Sequence, residues 1–402
     1  MQTDSFAKTW TVVFAAFTGQ MFGVGTLIIY SFGLFTEPLA EEFGWSYVDI
    51  ALALTVFNYS VVLGAFVVGR LIDRIGARSV ILPSTVLFAC VLGSLYFLTA
   101  SLLHLYLIFF LAAVLGCGTL PIGHARIIVD WFDKRRGLAL GLVLSGVGIG
   151  AAVLPPLIQY LLDTMGWRIA YLVLGALVLF VSFPIGVLFL READNTRTVC
   201  GANPAQDSHG ATPLDTLRHL PIWILGLFSF TAGLVLIGAL AHFVPMLRHA
   251  GVSGQQAAGY ASIIGMSVVL GRVSIGWLVD RFFAPRVIFV FFLAPCIAFI
   301  LLQSPDSQLP YALSAIGIGL ALGAEVDVLA YLVSRYFGTQ HFGVLYGGLF
   351  SVFTIGAANG PLLIAYLYET QSGYDLALLI LTLATLLICG LTFLMPKFPS
   401  KA

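Results

Sequence analysis

Polar and charged residues cluster at intervals along this chain, and the stretches between the clusters are almost wholly apolar. Cutting at the charged and Gly/Pro-rich breaks predicts helices at about 11–35, 47–69, 79–99, 104–127, 137–162, 167–190, 221–247, 256–279, 286–303, 309–334, 342–368 and 374–395. At about 1.5 Å of rise per residue, each is long enough to cross a hydrocarbon core of about 30 Å. The runs form two sets of six, separated by a polar segment containing Asp194, Asn195, Gly201, Pro204, Gly210 and Pro213. The pattern predicts an all-α membrane protein of twelve transmembrane helices, with six-helix bundles at 1–190 and 221–402 and a linker at 191–220.

Composition agrees with the pattern. Of 402 residues, 59% are hydrophobic and 9% charged, and a soluble domain of that make-up would lack the polar surface to cover its core. The 19 basic and 19 acidic residues cancel, so no basic field exists to recruit nucleic acid. Cys90, Cys117, Cys200, Cys296 and Cys389 are scattered without a C-x-x-C pair, and no metal is expected. No small-residue cleavage site follows the first apolar run, so that span is expected to stay in the membrane.

Basic residues accumulate in cytoplasmic loops. With the N-terminus inside, Lys8, Arg70, Arg74, Arg78, Lys134, Arg135, Arg136, Arg191, Arg197, Arg218, Arg281, Arg286, Arg335, Lys397 and Lys401 fall on that side, and only Arg168 and Arg248 fall outside. A multi-pass protein of the cell inner (plasma) membrane with both termini cytoplasmic is therefore expected.

The two halves repeat. Gly69, Leu71, Asp73 and Arg74 recur 207 positions later as Gly276, Leu278, Asp280 and Arg281. Gly141, Ser145, Gly150, Pro155 and Tyr160 recur at a shift of 206 as Gly347, Ser351, Gly356, Pro361 and Tyr366, so the shift holds at both ends of a half and argues for duplication.

The run Gly69-Arg70-Leu71-Ile72-Asp73-Arg74-Ile75-Gly76-Ala77-Arg78 resembles the loop 2–3 signature of the major facilitator superfamily, which implies that fold over the whole chain. Trp131 to Gly141, with Lys134-Arg135-Arg136, is similar to the span-five pattern of monocarboxylate transporters, and Arg272 stands where that family carries its span-eight arginine. The chain thus looks like a bacterial relative of the lactate and pyruvate carriers. Two positions differ: Val268 stands where the animal transporters carry an aspartate, and no counterpart of their span-one lysine lies between Thr11 and Phe35. The stretch around Ser334-Arg335-Tyr336-Phe337-Gly338 resembles the oxalate:formate antiporters, which pair the span-eight arginine with a span-eleven lysine. Phe342 to Tyr368 contains no Lys or Arg.

The residues themselves single out Arg272. A cation at the centre of a membrane helix costs roughly 2.5–3.5 kcal/mol on insertion scales, so it needs a partner. The repeat places Ala65 at the matching position, so the shared scaffold does not require the charge. A guanidinium fork matches one carboxylate, and the competing role is a structural ion pair with Asp280 or another acid. Glu325 and Asp327 are the only acids well inside any span, and each is either a proton carrier or a partner of Arg272. Asn58, Tyr59 and Tyr331 are mid-span polar groups that could hydrogen-bond a substrate or link helices. Arg126 is expected to pair with Asp130 one turn away. Asp73, Arg74, Asp280 and Arg281, at helix ends, are expected to hold one conformation and release it.

No G-x-x-x-x-G-K-[ST] motif exists to bind a nucleotide phosphate, so the expected activity is secondary transport rather than catalysis, with no cofactor. The leading expectation is proton symport of small monocarboxylates such as L-lactate by alternating access. The alternatives are anion exchange of the oxalate:formate type and a sensor or structural protein on a transporter fold. The expected partners are the carboxylate, protons and the lipid bilayer, with any accessory protein left unspecified.

Overall fold

The computed structural model describes residues 2–133, 135–193, 216, 218–303, 308–371 and 373–398. Among these, regular structure is helical throughout and twelve helices are long and apolar enough to span a membrane. They are α1 (Trp10–Ile29), α2 (Asp49–Ile75), α3 (Ala77–Phe97), α4 (Leu102–Trp131), α5 (Arg136–Met165), α6 (Trp167–Phe189), α7 (Leu220–His249), α8 (Gly259–Val279), α9 (Ala284–Leu302), α10 (Leu309–Tyr336), α11 (Phe342–Tyr368) and α12 (Asp375–Leu394).

Local chemistry explains the boundaries. Ser46 and Ser253 are N-caps whose hydroxyls accept from the Asp49 and Gln256 amides at 3.1 and 3.3 Å. Gly76 has φ of 87°, a conformation that only glycine adopts freely, and it ends one helix and begins the next. The first span is shorter than its apolar run suggests. It ends at Ile29, and a separate helix, Phe32–Phe43, follows. At the break, the Ser31 hydroxyl donates to the Leu27 carbonyl, offering the backbone a competing partner.

The residues divide into two compact units: 1–133, 142–211 and 338–348 in one, and 134–141, 212–337 and 349–402 in the other. This departs from a simple cut at 1–190 and 221–402, because the first residues of α5 belong to the second unit and those of α11 to the first. Of the expected linker, 194–215 and 217 lie outside the described residues.

The exchange has the same physical cause in each unit. In the first, Asp73 accepts from the amides of Gly343 and Val344 at the start of α11, both at 2.8 Å. In the second, Asp280 accepts from the amides of Gly137 and Leu138 at the start of α5, at 2.8 and 3.0 Å. A carboxylate at a helix N-terminus satisfies donors that have no partner within the helix and meets the positive end of its dipole. The helices also meet backbone to backbone, since a Cβ on Gly343 would overlap the Gly69 carbonyl and one on Gly137 the Gly276 carbonyl. The duplication read in the sequence is thus present as duplicated contacts.

The first unit has its own charged clamp. Glu42 accepts from the Trp167 indole at 2.6 Å and pairs with Arg168, whose guanidinium lies 4.3 Å from the Trp167 ring centroid. Burial pushes the Glu42 carboxyl up, and the Arg168 and Trp167 hydrogen bonds outweigh it, leaving it below the usual carboxylate range. Its contribution to stability is therefore present above the unfolded value of about 4.3 and lost as pH falls through the lowered folded value. Thermal unfolding of Glu42→Gln should show a deficit at neutral pH that closes below about pH 4. A deficit independent of pH would reject this assignment.

Candidate functional site

Arg272 and Asp327 meet inside the second unit. The Arg272 Nη1 donates to Asp327 Oδ1 at 2.8 Å, and the two side chains expose only 9% and 2% of their surfaces. Glu325, on the same helix as Asp327, is also buried. Two full charges in so dry a setting are tolerated because they are paired, and removing either would strand the other.

The pairing is incomplete. Arg272 Nε, Asp327 Oδ2 and Glu325 Oε2 are buried without a hydrogen-bond partner. The Arg272–Asp327 bond thus engages one nitrogen of the fork and one carboxylate oxygen, where a closed structural pair would be bidentate. Buried donors and acceptors left without a partner are what a ligand or proton site needs.

Glycines make the close approach possible. A Cβ on Gly141 of α5 would overlap the Arg272 carbonyl and stand 3.6 Å from Asp327 Oδ2. A Cβ on Gly323 of α10 would overlap the Val268 carbonyl and stand 2.8 Å from the Arg272 amide. The main chain at Val268, where an aspartate was expected from the family pattern, therefore lies against α10 at Gly323, one helical turn before Asp327. Gly141 is part of the repeat and opens a run of small residues that suits close helix packing, but the sequence does not show that it packs against Arg272, and Gly323 carries no such signal.

The other candidates fall elsewhere. The Tyr331 hydroxyl donates to the Val279 carbonyl at 2.9 Å, so this side chain ties α10 to the end of α8. Asn58 is half-buried and Tyr59 is exposed, both in the first unit. Arg281 stacks on Trp277 at 3.7 Å and donates to that residue's carbonyl, turning away from the Asp280 cap, while Arg74 is exposed. Arg126 does pair with Asp130 at 2.8 Å, and it also reaches Asp73 at 3.5 Å and donates to the Thr339 carbonyl. It thus joins α4 to the Asp73 cap.

Asp280 lies just past α8. Burial pushes its carboxyl above the usual range, while the Leu138 and Gly137 amides, Arg335 and Arg136 draw it back. His124 is fully enclosed, its Nδ1 2.7 Å from the Gln20 amide nitrogen, and it serves as a polar link between α4 and α1.

Comparison with known proteins places this chain in a family. The Major Facilitator Superfamily profile matches residues 9–358. Monocarboxylate transporter 11 of Mus musculus is 35% identical over 70% of this chain, a match that spans 62% of that protein's length. Monocarboxylate transporter 13 of Bos taurus is 29% identical over 97% of this chain and 89% of its own. The solved E. coli fucose:proton symporter superposes with a TM-score of 0.72 over 98% of both chains at 16% identity, which speaks to the fold alone. The chain is a membrane transporter and belongs to the major facilitator superfamily.

Proposed function

We propose that this protein carries small monocarboxylates, L-lactate and pyruvate-like acids, together with a proton, by alternating access across the cell inner membrane with both termini cytoplasmic. The observation that carries the reading is the half-satisfied Arg272–Asp327 pair. Asp327 acts as an internal counter-ion: the entering carboxylate takes its place on the guanidinium, and Asp327 takes up a proton. The buried charge is zero before and after, so the site never holds an uncompensated ion. The acid that the family pattern puts one turn before the arginine is here supplied from α10. Glu325 is the second proton candidate. The names of the relatives support the substrate class.

The Asp73 and Asp280 caps serve as the conformational latch. Each holds a helix N-terminus that must be released when the halves rock, with Arg126 reinforcing the first. Moving a bare anion inward opposes a negative-inside potential at about 2.3 kcal/mol per 100 mV, which the co-transported proton removes. Uptake of labelled L-lactate into proteoliposomes should therefore rise as external pH falls and need no substrate inside. Uptake that required internal anion and ignored the pH gradient would identify an exchanger instead.

A further inference from the structure

We infer that Gly141 on α5 and Gly323 on α10 are positioning residues for the Arg272–Asp327 pair, holding the Arg272 main chain at the one distance where its guanidinium meets Asp327. This rests on reading that pair as the carboxylate site. The two glycines close on the same stretch of α8 from two neighbouring helices, one against the Arg272 carbonyl and the other against its amide and the Val268 carbonyl. Gly141 also faces Asp327, whose buried and unpartnered Oδ2 lies 3.6 Å from the place a methyl would occupy. The overlapping atoms are backbone, so a methyl at either position must displace a whole helix. A hydrogen bond of 2.8 Å is lost when its partners separate by about 0.8 Å.

The repeat provides the control. Gly347 on α11 meets the Ala65 carbonyl as Gly141 meets that of Arg272, with its Cβ position 2.5 Å from the oxygen, and no charge stands there. If the glycines served only helix packing, the two positions would be equivalent.

The test uses the full chain in proteoliposomes, with Gly141→Ala, Gly323→Ala and Gly347→Ala compared on two readouts. One is the KM and maximal rate of labelled L-lactate uptake. The other, which needs no substrate, is the reaction of Asp327 with dicyclohexylcarbodiimide, which modifies protonated carboxyls and is read from the mass of the Asp327 peptide. Gly141→Ala and Gly323→Ala are expected to raise KM by about tenfold and to raise Asp327 modification several-fold. Gly347→Ala is expected to slow the maximal rate while KM and Asp327 modification stay at wild type. Where Gly141→Ala fails to fold, Gly323→Ala against Gly347→Ala makes the same comparison. Three variants behaving alike, or unchanged Asp327 modification in the folded glycine variants of this site, would overturn the inference. Normal lactate uptake by Arg272→Lys, with Asp327 modification still raised in Gly141→Ala, would instead overturn the carboxylate reading and leave the positioning role standing.

Discussion

Arg272→Ala is expected to abolish lactate uptake and to destabilise the folded protein by about 3–5 kcal/mol, because it strands Asp327 as a buried, unpaired acid. The informative comparison is the double variant Arg272→Leu with Asp327→Leu. Replacing both members of a buried pair by apolar groups removes both desolvation costs, and such replacements are often neutral or stabilising. The double variant should therefore recover most of the lost thermal stability in detergent while remaining inactive. Arg272→Lys should fold but transport poorly, since an ammonium lacks the planar fork that grips two carboxylate oxygens. Recovery of uptake in the double variant would remove Arg272 from the transport mechanism. Failure of the second substitution to restore stability would show that the loss does not come from a stranded Asp327 carboxyl.

The second large effect is expected from the helix caps. Asp280→Ala removes two amide–carboxylate bonds at 2.8 and 3.0 Å, and Asp73→Ala removes two at 2.8 Å. Bonds to a charged acceptor contribute about 1.5–3 kcal/mol each, so loss of either cap shifts the conformational equilibrium by well over tenfold. The maximal uptake rate should drop by at least about tenfold with KM for lactate changed little, because the cap carboxylates are committed to helix amides and make no bond to Arg272. Asparagine should be milder than alanine at both positions, since its amide oxygen still accepts. Arg281→Ala should cost far less than Asp280→Ala, because Arg281 is committed to Trp277. Full transport rates in both alanine variants would dismiss the latch.

Arg272 and the acids of α10 were visible in the sequence because charge inside an apolar run is conspicuous and must be explained. The Asp73 and Asp280 caps were visible as a repeated motif, though not as caps. Tyr331 was misleading for a related reason: a phenol in mid-span signals a hydrogen bond but not its partner, and here the partner is the Val279 carbonyl. Gly141 was visible in the repeat but not as a neighbour of Arg272, and Gly323 was not visible at all, because a glycine announces the absence of a side chain and nothing about what fills the space.

What the sequence alone determined is the number of the spans, the duplication and the residue that breaks it. Those are one-dimensional properties: an apolar run is measured against the thickness of a bilayer, and a repeat against itself. Only the tertiary structure decided that Arg272 pairs with Asp327, 55 residues away, rather than with Asp280, whose carboxylate caps α5. That choice depends on how α8 and α10 are rotated about their axes and how closely they pack, and glycines at the crossing set both. Hydropathy is indifferent to rotation, so the pattern that located the twelve spans could not say which faces meet.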